Sequence, residues 1–248
     1  HAAMLASQLT KSGFEINFVN PPKIPIKNLK NPSFIITSSI SALLKGRYDI
    51  AHGFNVPSVF GMKFAKANKR VLSIHGVYSE QVISLHSKAL GVIATTIEKN
   101  SLGWADKLTT DSKITQKSYK ENLGIDVEYL PSPIDTAKMN VISDLEKKQN
   151  QIIYVGRDSY EKGIDILRGI ESQIRGNVVY STNFTWEKAM SALKSSTILV
   201  VPSRMESLPT VVKEAFYLRI PVIATNVGGI PELILSLIHI SEPTRRRG

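Results

Sequence analysis

Short runs of apolar residues alternate with helix-length amphipathic segments along almost the whole chain. Phe14–Val19, Asp49–His52, Arg70–His75, Gly91–Ala94, Lys107–Thr110 and Val127–Leu130 read as strands, each being short and rich in apolar residues. Between them the pattern predicts helices over Pro57–Asn68, Ser79–Leu90, Thr96–Ala105 and Ser112–Asn122. Strands and helices in alternation imply an α/β fold, a parallel sheet with helices on both faces.

The pattern pauses at Pro131–Asn150. Pro131-Ser132-Pro133 rules out regular structure, and Asp144–Asn150 is a polar, charged stretch suited to a linker. Alternation restarts with strands at Gln151–Val155, Asn177–Ser181, Thr197–Val201 and Pro221–Thr225. Helices are expected near Ile164–Ser172, Thr185–Lys194 and Pro209–Leu218, with a short helical start at Ile230–Ile234. Two consecutive α/β domains follow, over 1–140 and 141–236. The chain opens with His1–Leu9 already in helical pattern, closed by Gly13. An α/β domain usually begins with its central strand, so the first strand is expected to be missing. The last twelve residues, LIHISEPTRRRG at 237–248, share no pattern with the rest and resemble translated adapter or vector sequence, so they are read as a non-native tail.

Composition narrows the classes. At 42% hydrophobic and 21% charged the chain reads as an ordinary globular protein. Zero cysteines exclude disulfides, thiolate metal sites and a cysteine nucleophile. No apolar run reaches about 18 residues, the length a membrane-spanning helix needs. The net charge of +10 is uneven: residues 1–140 hold 17 Lys and Arg against 10 Asp and Glu, while 141–236 hold 11 against 10. A basic first half attracts anionic membrane, nucleic acid or acidic ligands. It equally suits a diffusely basic, solvated surface.

Ser203–Glu214, SRMESLPTVVKE, is the most informative stretch. Glu206 follows an apolar strand and Glu214 lies inside the next helix, about two turns on. Pro209 suits that helix's first turn, where a missing N–H costs little. Free N–H groups and a partial positive charge would then lie beside Glu206. Two carboxylates so placed can accept hydrogen bonds from the hydroxyls of a polyol, although the spacing alone also suits a capping Glu and a surface Glu. At the end of the strand before, Gly156 would let backbone approach a ligand, and Arg157 with Lys162 could clamp a pyrophosphate. ATNVGGIPE at 224–232 puts a double glycine past another strand, at the same carboxyl edge where open α/β sheets bind ligands. No His, Asp and Glu cluster has metal-ligand spacing.

In order, GR….EKG, PSR.ES.PTVVKEA and PVIATNVGGIPELI make the chain similar to the retaining glycosyltransferases of family 4, and DIAHGFN, SIHG, ADKLTTDS and LPSPIDTAKM in the first half agree. The resemblance covers roughly 1–236. It implies the GT-B fold, two Rossmann-like doubly wound parallel-sheet domains facing across a cleft, the first on the acceptor side and the second for the nucleotide-sugar donor. By that resemblance Arg157 and Lys162 hold the donor diphosphate, Glu206 contacts the donor sugar, and Glu214 holds the nucleotide ribose. Ser207, Leu208 and Pro209 match a turn where relatives often carry Gly-Phe-Gly, and Pro209 removes one N–H there. Gly228, Gly229 and Glu232 fall in a loop near the donor, and His75 faces the sugar from the acceptor domain. Relatives continue past Pro231-Glu232-Leu233 with further αβ units, which are not recognisable here.

The implied activity is transfer of a sugar, with retention of configuration, from a nucleotide sugar to a hydroxyl of a glycan or lipid-linked acceptor. No cofactor or metal is expected. A cytoplasmic protein is expected, with peripheral contact to anionic membrane through the basic first domain and no nucleic-acid partner. Two alternatives stay open: a nucleotide-sugar epimerase or phosphorylase of the same fold, and a non-catalytic basic protein that binds membrane or nucleic acid. His52 and His86 read as structural or solvated, and Trp104 and Trp186 as packing residues.

Overall fold

The computed structural model describes residues 2–19, 30–76, 88–143 and 145–234. The chain divides into two units, His1–Ser132 and Pro133–Gly248, each with its own parallel sheet. In the first, β1 (Tyr48–Phe54), β2 (Ala67–Ile74), β3 (Lys107–Thr110) and β4 (Glu128–Tyr129) lie side by side in sequence order. Phe54 pairs with Ser73 and Ile74 with Thr110, so the carboxyl ends of the first three strands are level. Val59, Met62, Leu72, Ile74, Leu102 and Tyr119 form this unit's core.

In the second unit the order is β6-β5-β7-β8, with β5 at Gln151–Val155, β6 at Asn177–Ser181, β7 at Ile198–Val201 and β8 at Val222–Ala224. Every pairing is parallel. The chain leaves β5 towards β6 on one side, then returns across β5 to lay down β7 and β8 on the other. That reversal creates a crevice beyond the carboxyl ends of β5 and β7, the place where open α/β sheets accept ligands. Ile153, Leu199, Leu193, Val212, Ala215 and Ile220 lie at the centre of the core behind it. Thr185 starts the helix Trp186–Ser195 by accepting from the Lys188 amide at 3.3 Å.

The strands expected in the second half are all present to within a residue or two. Several other expectations need correction. Phe14–Val19 forms no strand: after the helix Ala2–Lys11 the segment pairs with none of the described strands, and Phe14 and Phe18 are exposed. An isolated extended segment has no ladder to join. Gly91–Ala94 lies inside a helix, Lys88–Leu102. Parallel neighbours such as β2 and β3 need a crossover, and this helix supplies it. The helix expected over Pro57–Asn68 is limited to Val59–Phe64, because β2 already begins at Ala67. The units part at Ser132/Pro133 and not at 140/141: Met139 and Ile142 are buried in the second core, and Tyr217 Oη donates to Asn140 Oδ1 at 2.5 Å. A helix over Lys30–Leu44 has no counterpart in the sequence expectations. His86, most of the helix expected over Ser79–Leu90 and the tail 237–248 lie outside the described residues.

Candidate functional site

The carboxyl end of β5 runs into Gly156-Arg157, a turn and then Lys162-Gly163, while β7 runs into Ser203–Pro209. Backbone bonds tie the two loops together: the amides of Arg204 and Met205 both donate to the Glu161 carbonyl, at 2.9 and 3.2 Å. Arg204 reinforces the join. Its guanidinium makes a two-pronged pair with Asp165 at 2.7 Å on each arm and stacks 4.1 Å from the Tyr160 ring. Gly163 adopts φ +64°, and a Cβ there would lie 2.0 Å from the Pro202 carbonyl oxygen, so only glycine lets the loops approach this closely.

Lys162 Nζ lies 2.6 Å from Glu206 Oε1, and Ser203 Oγ donates to the same oxygen at 2.9 Å. The Glu206 side chain is 8% exposed and that of Lys162 is 23% exposed, so both charges are largely withdrawn from water. Arg157 behaves differently. Its side chain is 74% exposed and pairs with Glu161 at 3.0 Å, on the same turn as Lys162 but not against Glu206. At Gly156 a Cβ would lie 2.8 Å from Tyr154 Oη, whose hydroxyl donates to the Arg157 carbonyl at 2.7 Å. Burial pushes that phenol up to about 12, so it stays a donor at neutral pH.

Ser207, Leu208 and Pro209 lead into the helix Thr210–Tyr217. Pro209 caps this helix and is not its first residue, so the amides of Thr210 and Val211 open the helix with no carbonyl a turn before them. Glu214 is buried within it and accepts from Trp186 Nε1 at 2.9 Å. Burial raises its pKa above the usual carboxylate range, with the indole hydrogen bond opposing that shift. The residues expected to act together thus form two groups at one sheet edge: Lys162, Glu206 and Ser203 in one, Glu214 and Trp186 in the other.

The loop after β8 completes the edge. Gly229 N–H donates to the Ser207 carbonyl at 2.7 Å, and Thr225 Oγ1 donates to the Ser203 carbonyl at 2.5 Å. A Cβ on Gly228, which has φ +52°, would lie 1.7 Å from the Glu206 carbonyl oxygen. The double glycine therefore acts by fitting the Glu206–Ser207 backbone.

His75 belongs to the first unit. It follows β2, Asn55 follows β1 and Asp111 follows β3, and the level strand ends bring the three together. The His75 amide donates to Asn55 Oδ1 at 2.8 Å, and His75 Nδ1 lies 3.2 Å from Asp111 Oδ1. Asn55 itself has φ 62° and ψ 162°, a conformation that glycine adopts far more readily. His52 stands two residues before β1 ends and contacts Ser73 Oγ at 2.8 Å. Sequence reasoning missed Ser203, Thr225, Asn55 and Asp111. It read Trp186 as packing, since nothing in the sequence says that an indole one loop away meets Glu214. Among the described residues no group of three His, Asp or Glu side chains could hold a metal, and no helix is long and apolar enough to cross a membrane.

Comparison with known proteins adds the following. The family model described as Glycosyltransferase Family 4 matches residues 1–138, and the model described as Glycosyl transferases group 1 matches 137–239. A Bacillus subtilis (strain 168) protein named as a teichuronic acid biosynthesis glycosyltransferase is 28% identical over 200 residues, 68% of this chain and 50% of the relative. A sulfoquinovosyl transferase of Arabidopsis thaliana is 26% identical over 136 residues, 46% of this chain and 27% of that protein. The chain therefore spans half or less of the length of these two relatives. Among solved structures, a sucrose-phosphate synthase from Thermosynechococcus elongatus matches with a TM-score of 0.64 at 20% identity, over 86% of this chain and 67% of that one. An Escherichia coli trehalose-6-phosphate structure bound with UDP-2-fluoro glucose matches with a TM-score of 0.62 at 11% identity, over 84% and 66%. These likenesses show the fold: an α/β architecture with two parallel sheets, the GT-B type.

Proposed function

This chain belongs to Glycosyltransferase Family 4, and on that premise we propose that its second unit holds a nucleotide-sugar donor at the carboxyl edge of the β5-β7 crevice. The protein passes the sugar to a hydroxyl of a glycan or lipid-linked acceptor. The observation that carries this reading is the Lys162–Glu206 pair, withdrawn from water at the switch point of a parallel sheet.

Lys162 Nζ has three donors, and one is engaged by Glu206, which leaves two for diphosphate oxygens. The exposed Arg157 guanidinium and the opening amides of the helix Thr210–Tyr217 add positive potential to the same place. Ser207 and Leu208 present backbone to the leaving group. Glu206 accepts from sugar hydroxyls, and Glu214 accepts from the ribose. In the transfer, the bond from the anomeric carbon to the diphosphate breaks and its electrons leave on the phosphate oxygen. The acceptor oxygen bonds to the same face of the sugar and its proton passes to the departing phosphate, so the configuration is retained. Charge on the diphosphate is met by side chains and helix N–H groups, without a metal. Removing one such group typically costs about 100–1000-fold in rate. His75 is assigned to the transfer step.

The basic first unit also carries Ile36, Ile40, Leu43 and Leu44, exposed on one face of the helix Lys30–Leu44. With the positive charge of that half this favours peripheral contact with anionic membrane at the cytoplasmic face, which flotation with phosphatidylglycerol vesicles at low and high salt tests. The activity itself is tested by incubating the protein with UDP-, GDP- and ADP-sugars, with and without glycan and polyprenyl-phosphate-linked acceptors. Acceptor-dependent release of nucleoside diphosphate with a retained anomer is expected. A sugar isomerised without acceptor would replace this reading with the epimerase.

A further inference from the structure

Glu214 is positioned by a residue outside the motif that contains it. Trp186 opens the helix Trp186–Ser195 and is half-buried, with its ring against the core and its N–H on Glu214 Oε1 at 2.9 Å, 28 residues away. Lys138 Nζ lies over the indole, 5.8 Å from the ring centroid, within reach of a cation–π contact. The ring is therefore held by the core, by a cation over its face and by the carboxylate at its edge. A carboxylate at the end of a Glu side chain otherwise rotates with little preference about its last bond. With Oε1 committed to the indole, that rotation is restricted.

We infer that Trp186 is a positioning residue that orients Glu214 so that its second oxygen accepts from the hydroxyls of the nucleotide ribose. The inference rests on the donor-site reading above and extends it to a residue that never touches the nucleotide. It makes the site select nucleotides that carry the 2′- and 3′-hydroxyls through the geometry of one carboxylate.

The test is a double-mutant cycle read by calorimetric titration with UDP, GDP and ADP, and then with the 2′,3′-dideoxy form of whichever binds. Trp186→Phe should weaken ribonucleotide binding about tenfold, the scale of a hydrogen bond to a charged group. The same substitution should change nothing in a Glu214→Ala background, nor with the dideoxy nucleotide. Binding within twofold of the parent, or equal weakening in the Glu214→Ala background, overturns the inference while leaving the donor site standing. No nucleotide binding by the parent protein overturns the donor site itself. Should Trp186→Phe fail to fold, the chain's two tryptophans still give two indole N–H resonances, assigned with Trp104→Phe. The Trp186 resonance should shift with the ribonucleotide and not with the dideoxy form, and an unmoved resonance overturns the inference.

Discussion

Lys162 Nζ and Glu206 Oε1 stand 2.6 Å apart although 44 residues separate them in the chain. The turn after β5 brings one and the loop after β7 brings the other, and the amides of Arg204 and Met205 lock turn to loop through the Glu161 carbonyl. The pair serves both the fold and the proposed chemistry, and substitution can separate the two roles. Lys162→Met leaves a carboxylate with 8% exposure facing no cation, so it should lower stability by about 1–3 kcal/mol, less than a fully buried pair because Lys162 is partly wet. The double variant Lys162→Met, Glu206→Leu should recover most of that loss in thermal denaturation. Neither variant should bind a nucleotide sugar.

Glycine at 228 is required by space as well as by φ. Gly228→Ala should displace the Glu206 backbone, costing several degrees of melting temperature and most of the affinity for donor, since the added Cβ meets the Glu206 carbonyl oxygen at 1.7 Å. Gly169 is the control. It lies in the helix Ile164–Ile170 with nothing within 4 Å of its Cβ position, so Gly169→Ala should stabilise by roughly 0.5–1 kcal/mol and leave binding unchanged. Thermal denaturation and a binding titration on both variants check the contrast.

Much of this candidate site was legible in the sequence, because the apolar runs of β5, β7 and β8 lead into the loops that hold its residues. Lys162, Glu206 and the double glycine all lie in the loops that follow strand ends, and parallel strands bring such loops to one edge. What could not be read was pairing across loops. Nothing in the sequence says that Trp186 meets Glu214, that Arg204 reaches back to Asp165, or that Arg157 pairs with Glu161. In the first unit, the four apolar residues Gly91–Ala94 fit a strand and a helix equally well, and only the need for a crossover between β2 and β3 decides. Phe14–Val19 shows the complementary failure, a strand-like run that pairs with no described strand.

Burial raises the pKa of Glu214, the Trp186 hydrogen bond opposing. The folded state therefore holds this proton at pH values where the unfolded chain has released it, and stability falls as pH rises from the ordinary glutamate range through the raised value. Glu214→Gln should flatten that part of the stability–pH curve and be at least as stable as the parent at neutral pH. Ribose hydroxyls donate to the ionised carboxylate, so nucleotide affinity in the parent should weaken as pH falls through the same range. Chemical denaturation and titrations between about pH 4 and pH 7 read both effects.

His75 belongs to the first unit and the nucleotide contacts to the second. His75→Ala should accordingly leave donor affinity within about twofold while lowering turnover by about 100-fold, in the range of a general acid–base or electrostatic contribution. Steady-state kinetics that show a raised KM for donor with unchanged kcat would remove His75 from the transfer step.

The most direct test of the account is a thermal-denaturation panel of UDP-, GDP- and ADP-sugars against the parent protein and Glu206→Ala. Binding to the native state raises apparent stability by about 2.7 kcal/mol at a ligand concentration one hundred times Kd. At least one nucleotide sugar should raise the melting temperature of the parent by several degrees and leave that of Glu206→Ala unmoved. A panel in which no nucleotide sugar shifts the parent, or in which Glu206→Ala shifts equally, contradicts a donor site built on this carboxylate.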